Sequence, residues 1–277
     1  MIFCYCLSPK FRGELMQVTQ ICLYPIKSTK AYRVEQAFVL PQGLNFDREF
    51  MITEVDGTFI TARKEQMLYR LAAFPISTGI VIQSDCGERC VARYNDFTQQ
   101  QSSEVWGNHF PSWVANSAVN QWLSQKFGRE VQLRWLGEQP QRMVKHCEPQ
   151  PLSFADSNPL LLVSEQSLKQ LQQWSPVPVS MEQFRANVVI DGIQAFEEEG
   201  WKRVKIGTVE FEVAQPCTRC ILITRDPQTL ELDPNTEPFR TLKQHHTNEK
   251  GKPIFGVHLV PQTSGVIRVG DYITISE

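Results

Sequence analysis

VEQAFVLPQGLNFDREFMITEVDGTFITAR, residues 34–63, decides the fold class. Three short runs, 34–40, 48–55 and 58–63, are rich in β-branched and aromatic residues and are separated by the turn-forming PQG and VDG. VDGTF between two such runs is a hairpin signal. The pattern continues on both sides: VTQICLYPI (18–26) precedes it, and GIVIQS (79–84) and CVARY (90–94) follow after an STG turn. Several short strands so closely spaced predict a barrel or a sandwich.

Further along, NSAVNQWLSQKFG (116–128) predicts a helix. Asn116 would cap it, Val119, Trp122, Leu123 and Phe127 would share one face, and Gly128 would stop it. The strand VQLRWL follows, and then a polar, proline-bearing stretch, GEQPQRMVKHCEPQPLSFADSNP (137–159), of the kind that joins domains or lines a site. The main boundary is placed near residue 145. The second half opens with LLLVSEQSLKQLQQW (160–174), a buried strand leading through Ser164 into an amphipathic helix. FRANVVIDG, RVKIGTVEFEVA, RCILITRD, GVHLVPQ and GVIRVGDYITI again read as strands. The expected division is 1–15 as a lead, 16–145 as one β-rich domain and 146–277 as another, mostly β with few helices (α+β).

With 42% hydrophobic and 21% charged residues and a formal charge of −2, the 277-residue chain has an ordinary globular composition. Nothing in that balance points to nucleic acid or to a membrane surface. No apolar run approaches the ~20 residues of a membrane helix. The opening MIFCYCLSPKFRGELM has no basic residue before its short apolar stretch and no small-residue cleavage site. Residues 1–15 read as a disordered lead, or as an over-extended start with Met16 as the initiator, and the cytoplasm is the simplest location.

Eight cysteines in such a chain read as thiols rather than a disulfide framework. Two of them, Cys217 and Cys220, sit in AQPCTRCILITRD (214–226). Several readings stay open. Cys86 and Cys90 could complete a tetrahedral zinc site with them. A dithiol of the thioredoxin type needs a helix after the pair, and ILIT reads as strand. If a strand begins at the pair, only one sulfur can face a given pocket, as a single soft ligand to a metal otherwise held by a cofactor. Two buried cysteines in a core strand are the remaining reading.

Basic and polar residues at strand ends could hold an anion: Lys27 and Ser28 in YPIKSTK, Arg63 at the end of TFITAR, and Arg185 and Asn187 in FRANVVI. No Walker or dinucleotide glycine motif is present, and no Gly-x-Ser-x-Gly or His-Glu-x-x-His. The run Glu197–Glu199 reads as a solvated loop, and His245 and His246 as exposed.

The ordered set YPIKS, GLNFDREFMI, TFITAR, SNPLLLVSEQSL, FRANVVI, PCTRC and GVIRVGDYI resembles the MOSC family, in the branch of YcbX-type proteins and mitochondrial amidoxime reducing components. The resemblance covers nearly the whole chain from about residue 16. It implies an N-terminal β-barrel domain packed on a β-barrel MOSC domain, and a pterin-based molybdenum cofactor (Mo-molybdopterin). It implies Cys220 as the thiolate ligand of molybdenum, Lys27, Ser28, Arg63, Arg185 and Asn187 as holders of the pterin and its phosphate, and Cys217 as structural. Asp156, Ser157 and Asn158 in FADSNP match a loop beside the metal, with Asp156 in a catalytic role and Ser157 and Asn158 on the cofactor. The implied activity is reduction of N-hydroxylated compounds: hydroxylamines, amidoximes and N-hydroxy bases. The clustered cysteines of a ferredoxin domain, typical of YcbX-type proteins, are not in this sequence. Electrons would therefore come from a separate ferredoxin-, flavodoxin- or flavoreductase-like protein. The alternative is a MOSC protein that carries the cofactor, or sulfur, without turnover.

Overall fold

Alternation of buried and exposed residues sets the strands, and turn chemistry sets where they stop. The computed structural model describes residues 15–144 and 149–276. The proposed lead, apart from Leu15, lies outside the described residues. In chain order the first half holds β1 (Gln17–Leu23), β2 (Tyr32–Val34), β3 (Gln36–Leu40), β4 (Gly43–Leu44), β5 (Phe50–Thr53) and β6 (Leu71–Ile76). These are followed by β7 (Gly79–Ser84), β8 (Arg89–Arg93), β9 (Phe97–Val105), β10 (Asn108–Ala115), α1 (Ser117–Phe127) and β11 (Gln132–Trp135). The second half holds β12 (Leu160–Ser164), α2 (Glu165–Trp174), β13 (Val188–Asp191), β14 (Arg203–Ile206) and β15 (Val209–Thr218). It ends with α3 (Phe239–His245), β16 (Ile254–Pro261), β17 (Gly265–Arg268) and β18 (Ile273–Ser276).

The fold is mostly β, as the composition of short strands predicts. In the first half the sheet β5–β11–β10–β9 and the meander β6–β7–β8 share one core, which includes Phe50, Ile52, Leu71, Ile80, Ile82 and Leu133. Helix α1 closes it with Val119 and Leu123. The Asn116 side chain accepts from Val119 N, and Gly128 ends the helix in the left-handed region at φ 66°.

The second core sits inside a ring of strands in the order β1–β13–β12–β16–β15–β14–β18. A bridge between Gln17 and Tyr272 returns the last strand to the first. Val18 N donates to Asp271 O and Ile273 N to Met16 O, each at 3.0 Å, so the ring closes and leaves no open edge there. All pairs in the ring named by register are antiparallel except β12–β13, which is parallel, and α2 makes the crossover that a parallel pair needs. Helices α2 and α3 cover the outer face through Leu171 and Leu242.

Strand pairing does not divide at residue 145. Strand β1 stands in the ring beside β13, β2 pairs with β1, and β3 pairs with β17, so the first 30 or so described residues belong to the core of the second half. The division 16–145 and 146–277 remains a proposal about sequence segments.

Two expected strands are not strands. In TFITAR only Thr58 and Phe59 make bridges, and Thr61 then turns the chain: Lys64 N and Glu65 N both donate to Thr61 O at 3.0 Å. Arg63 therefore sits in a turn instead of ending a strand. Likewise β15 stops at Thr218, before the second cysteine, and Ile221–Thr224 is a single 3₁₀ turn. Its β-branched residues suit a strand, but Ile223 N donates to Cys220 O and Thr224 Oγ1 to Ile221 O, and burial of Ile223 and Thr224 holds that local pairing. The Glu197–Glu199 run is a 3₁₀ turn whose Glu198 is fully buried, contrary to the solvated loop expected. His245 is exposed, while His246 is half-buried against Glu199 at 2.8 Å.

Candidate cofactor site between the two cores

Three non-glycine residues on one wall have backbones in the left-handed region: Ser28 at φ 71°, Arg48 at φ 52° and Arg185 at φ 57°. Each such residue costs roughly 1–3 kcal/mol, a cost that persists only where the surroundings fix it. All three line a single cavity of about 1010 Å³ between the first core and the closed ring. Every residue to which the family resemblance gives a cofactor or catalytic role lines it too: Lys27, Ser28, Arg63, Asp156, Ser157, Asn158, Arg185, Asn187 and Cys220. Seven cationic side chains (Lys27, Arg48, Arg63, Arg142, Arg185, Arg219 and Lys252) face it against two carboxylates, Asp156 and Glu212. In a chain of net charge −2 this is a marked local excess, suited to an anionic occupant.

At one end Lys27, buried, donates from Nζ to Phe154 O at 2.8 Å and pairs with Asp156. Trp106 Nε1 donates to the same carboxylate at 3.1 Å, and the Arg63 guanidinium stacks 4.4 Å from the Trp106 ring centre. Its surroundings tend to raise the Asp156 carboxyl, but the Lys27 charge, the Trp106 bond and Arg63 outweigh this and hold it below the usual carboxylate range. The side chain is 59% exposed, so solvent screening reduces what that pairing contributes to stability. Burial lowers Lys27 despite its partner.

Further along the lining Arg48 and Arg185 both stack on Tyr24, 4.4 and 4.2 Å from the ring centre. Arg48 Nη1 donates to Asn187 Oδ1 at 2.8 Å and to Asp47. The Asn187 amide donates to Cys22 O at 3.1 Å, and Oδ1 also accepts from Leu161 N at 3.2 Å. With its hydrogen bonds met inside the protein, Asn187 holds Arg48 in place. Arg185 Nη1 donates to Thr29 O at 2.9 Å, while its Nη2 is buried without a partner. Behind the loop of Asp156, Arg142 donates to Ser153 O at 2.7 Å, to Ala155 O, and to Asp156 O at 3.1 Å. Burial pulls its guanidinium down to about 10.

Both cysteines of PCTRC line the cavity, because β15 ends between them. The expectation that only one sulfur could face the pocket assumed a strand through the pair, and the chain does not make one. Cys220 is half-buried in extended backbone at the start of the 3₁₀ turn. Cys217 is buried and accepts from Arg219 Nη1 at 3.0 Å. Cys86 and Cys90 do not line this cavity, and among the described residues no group of three or more His, Cys, Asp or Glu is placed to hold a metal.

Family models match nearly all of this architecture: a MOSC N-terminal beta barrel domain over residues 15–130 and a MOSC domain over residues 149–274. The chain belongs to the MOSC family. Mitochondrial amidoxime-reducing component 1 of Mus musculus is 29% identical to this MOSC protein, over 95% of this chain and 84% of its own. Mitochondrial amidoxime reducing component 2 of Macaca fascicularis is 27% identical, over 95% and 85%. A molybdenum cofactor sulfurase of Drosophila yakuba is 28% identical over 97% of this chain, which spans 35% of that longer protein. Among the described residues of the MOSC protein no helix is long and apolar enough to cross a membrane.

Among the residues of this MOSC cavity that the sequence reading gave no role are Arg48, Trp106, Arg142 and Arg219. Arg48 and Arg219 lie inside quoted motifs, GLNFDREFMI and PCTRC, so a signal existed for both. Arg142 and Trp106 sit in polar stretches where a lone arginine or tryptophan reads as surface.

Proposed function

We propose that the chain is a molybdenum-cofactor-dependent reductase of N-hydroxylated compounds (hydroxylamines, amidoximes and N-hydroxy bases) that takes its electrons from a separate redox protein. The observation that carries this reading is the convergence of seven cations and a half-buried thiol on one cavity of about 1010 Å³. The residues fit such a group. Arg185 Nη2 is a buried donor with no partner inside the protein, and Cys220 supplies a soft ligand. The cofactor would be held by Lys27, Ser28, Arg63, Ser157, Asn158 and Arg185, with Asn187 orienting Arg48 behind them, and its metal by Cys220.

When bound, the cofactor supplies the two-electron reduction of the N–O bond. Overall, two electrons and two protons convert N–OH to N–H and release water. Asp156, kept ionised by Lys27, acts on the substrate as a hydrogen-bond acceptor for an N–H and not as a proton donor. Trp106 and Phe59, edge to face at 4.8 Å, form an apolar border beside that carboxylate. The cations hold an anionic group in place before any substrate arrives, so the electrostatic work is done in advance.

The test is elemental analysis of protein purified from a host that makes the cofactor, followed by turnover of a test amidoxime with chemically reduced protein. Stoichiometric molybdenum with amidine formation is the expected result. Molybdenum without turnover under any donor favours a carrier, a reading that the similarity to molybdenum cofactor sulfurases supports. Zinc in place of molybdenum overturns both.

A further inference from the structure

The proposed function gives Cys217 no task, yet its surroundings are not those of a packing residue. It is 6% exposed and accepts from Arg219 Nη1 at 3.0 Å, while Arg219 Nη2 donates to Phe184 O at 2.8 Å. The guanidinium also lies 5.4 Å from the Phe184 ring centre. His258, on the neighbouring β16 opposite Gln215, lines the same cavity and is close enough for its charge to act on that sulfur. Arg219 Nε and His258 Nδ1 are buried with no hydrogen-bond partner. Arg219 thus folds back onto Cys217, and its backbone N–H donates to Pro253 O at 2.8 Å. A neutral thiol is a weak acceptor for a half-buried guanidinium, whereas a thiolate balances its charge. The electrostatics agree: burial pushes the Cys217 thiol up, but Arg219 and His258 override it and bring it down to about 6. Burial opposes charge on His258, and Cys217 raises it above its ordinary value all the same.

We propose that Cys217, Arg219 and His258 form a buried thiolate–guanidinium–imidazole anchor that holds the Cys220-bearing turn in place, with Cys217 as a positioning residue. Its consequence for reduction rests on the proposed role of Cys220, but the anchor itself is a property of the protein without cofactor. Once the anchor is removed, Arg219 is free to turn toward the Cys220 sulfur, where a guanidinium speeds attack by that sulfur.

Two measurements on cofactor-free protein test this, so their outcome is separate from whether molybdenum binds. First, in a Cys220→Ser background, the thiolate ultraviolet absorbance lost on adding Cys217→Ala is followed against pH. A midpoint near the anchored value of about 6 is expected, and a midpoint above roughly 8, as for an ordinary thiol, overturns the anchor. Second, alkylation of Cys220 by iodoacetamide, in which the thiolate displaces iodide, is timed at neutral pH by mass spectrometry. Cys217→Ala and Cys217→Ser should speed it by about threefold or more, and Cys217→Asp, which restores the negative charge, should return it toward the unsubstituted rate. Equal rates in all of them overturn the positioning role. Should the Cys217 variants fail to fold, Arg219→Lys, which cannot bridge Cys217 and Phe184, gives the same readout.

Discussion

Arg185 has one hand tied and one free: Nη1 is bound to Thr29 O, and Nη2 has no partner. A charge-assisted bond to an anionic ligand is worth about 1.5–3 kcal/mol, so Arg185→Ala should weaken cofactor retention roughly tenfold to a hundredfold, read as molybdenum per chain after gel filtration. Full occupancy would show that Arg185 does not touch the ligand. Cys220→Ser should abolish amidoxime reduction and leave any molybdenum removable by desalting. A variant that keeps both would mean the wrong sulfur was chosen. At this scale the proposed site residues were legible because they fall in ordered motifs with a family resemblance, not because of charge or spacing. A lone arginine such as Arg142 reads as solvated, and only the fold shows that it is buried beneath the Asp156 loop.

Elements whose pattern and punctuation agreed were read well. Residues 79–84 form β7 as expected, and α1 starts and stops at its predicted cap and glycine. The errors came where tertiary contacts override propensity: ILIT coils into a 3₁₀ turn, and TFITAR turns after Phe59. The start of α2 gives a pH prediction. Ser164 caps the helix, and Ser167 Oγ donates to the buried Glu198 carboxylate at 2.9 Å. Burial pushes Glu198 from 4.5 up to about 7. Because the folded value is raised, the protonated acid favours the fold fully below about pH 4.5, and that contribution fades as pH rises through about 7. By linkage the loss amounts to about 3 kcal/mol. Glu198→Gln should therefore flatten the dependence of urea midpoint on pH between 5 and 8, with the variant the more stable at pH 8. A parallel decline in both proteins would place the titration elsewhere.

On the scale of the whole molecule, the cavity gathers its cations from positions 27, 48, 63, 142, 185, 219 and 252, so like charges are crowded together when nothing binds there. Inorganic pyrophosphate should relieve this and raise the Tm. At ten times its Kd it stabilises by about 1.4 kcal/mol, a shift of a few degrees, whereas sodium chloride at equal ionic strength should shift it less. No difference between the two salts would remove the cavity as an anion site.

The placement of β1 in the far ring, with β2 paired to it and β3 to β17, also says how the protein would respond to being made in two pieces. Chains ending at Glu138 and starting at Gln139, produced together, should find each other and copurify, since one carries a stave that the other's ring lacks between β13 and β18. Made alone, the later piece would present two unpaired staves to solvent and precipitate.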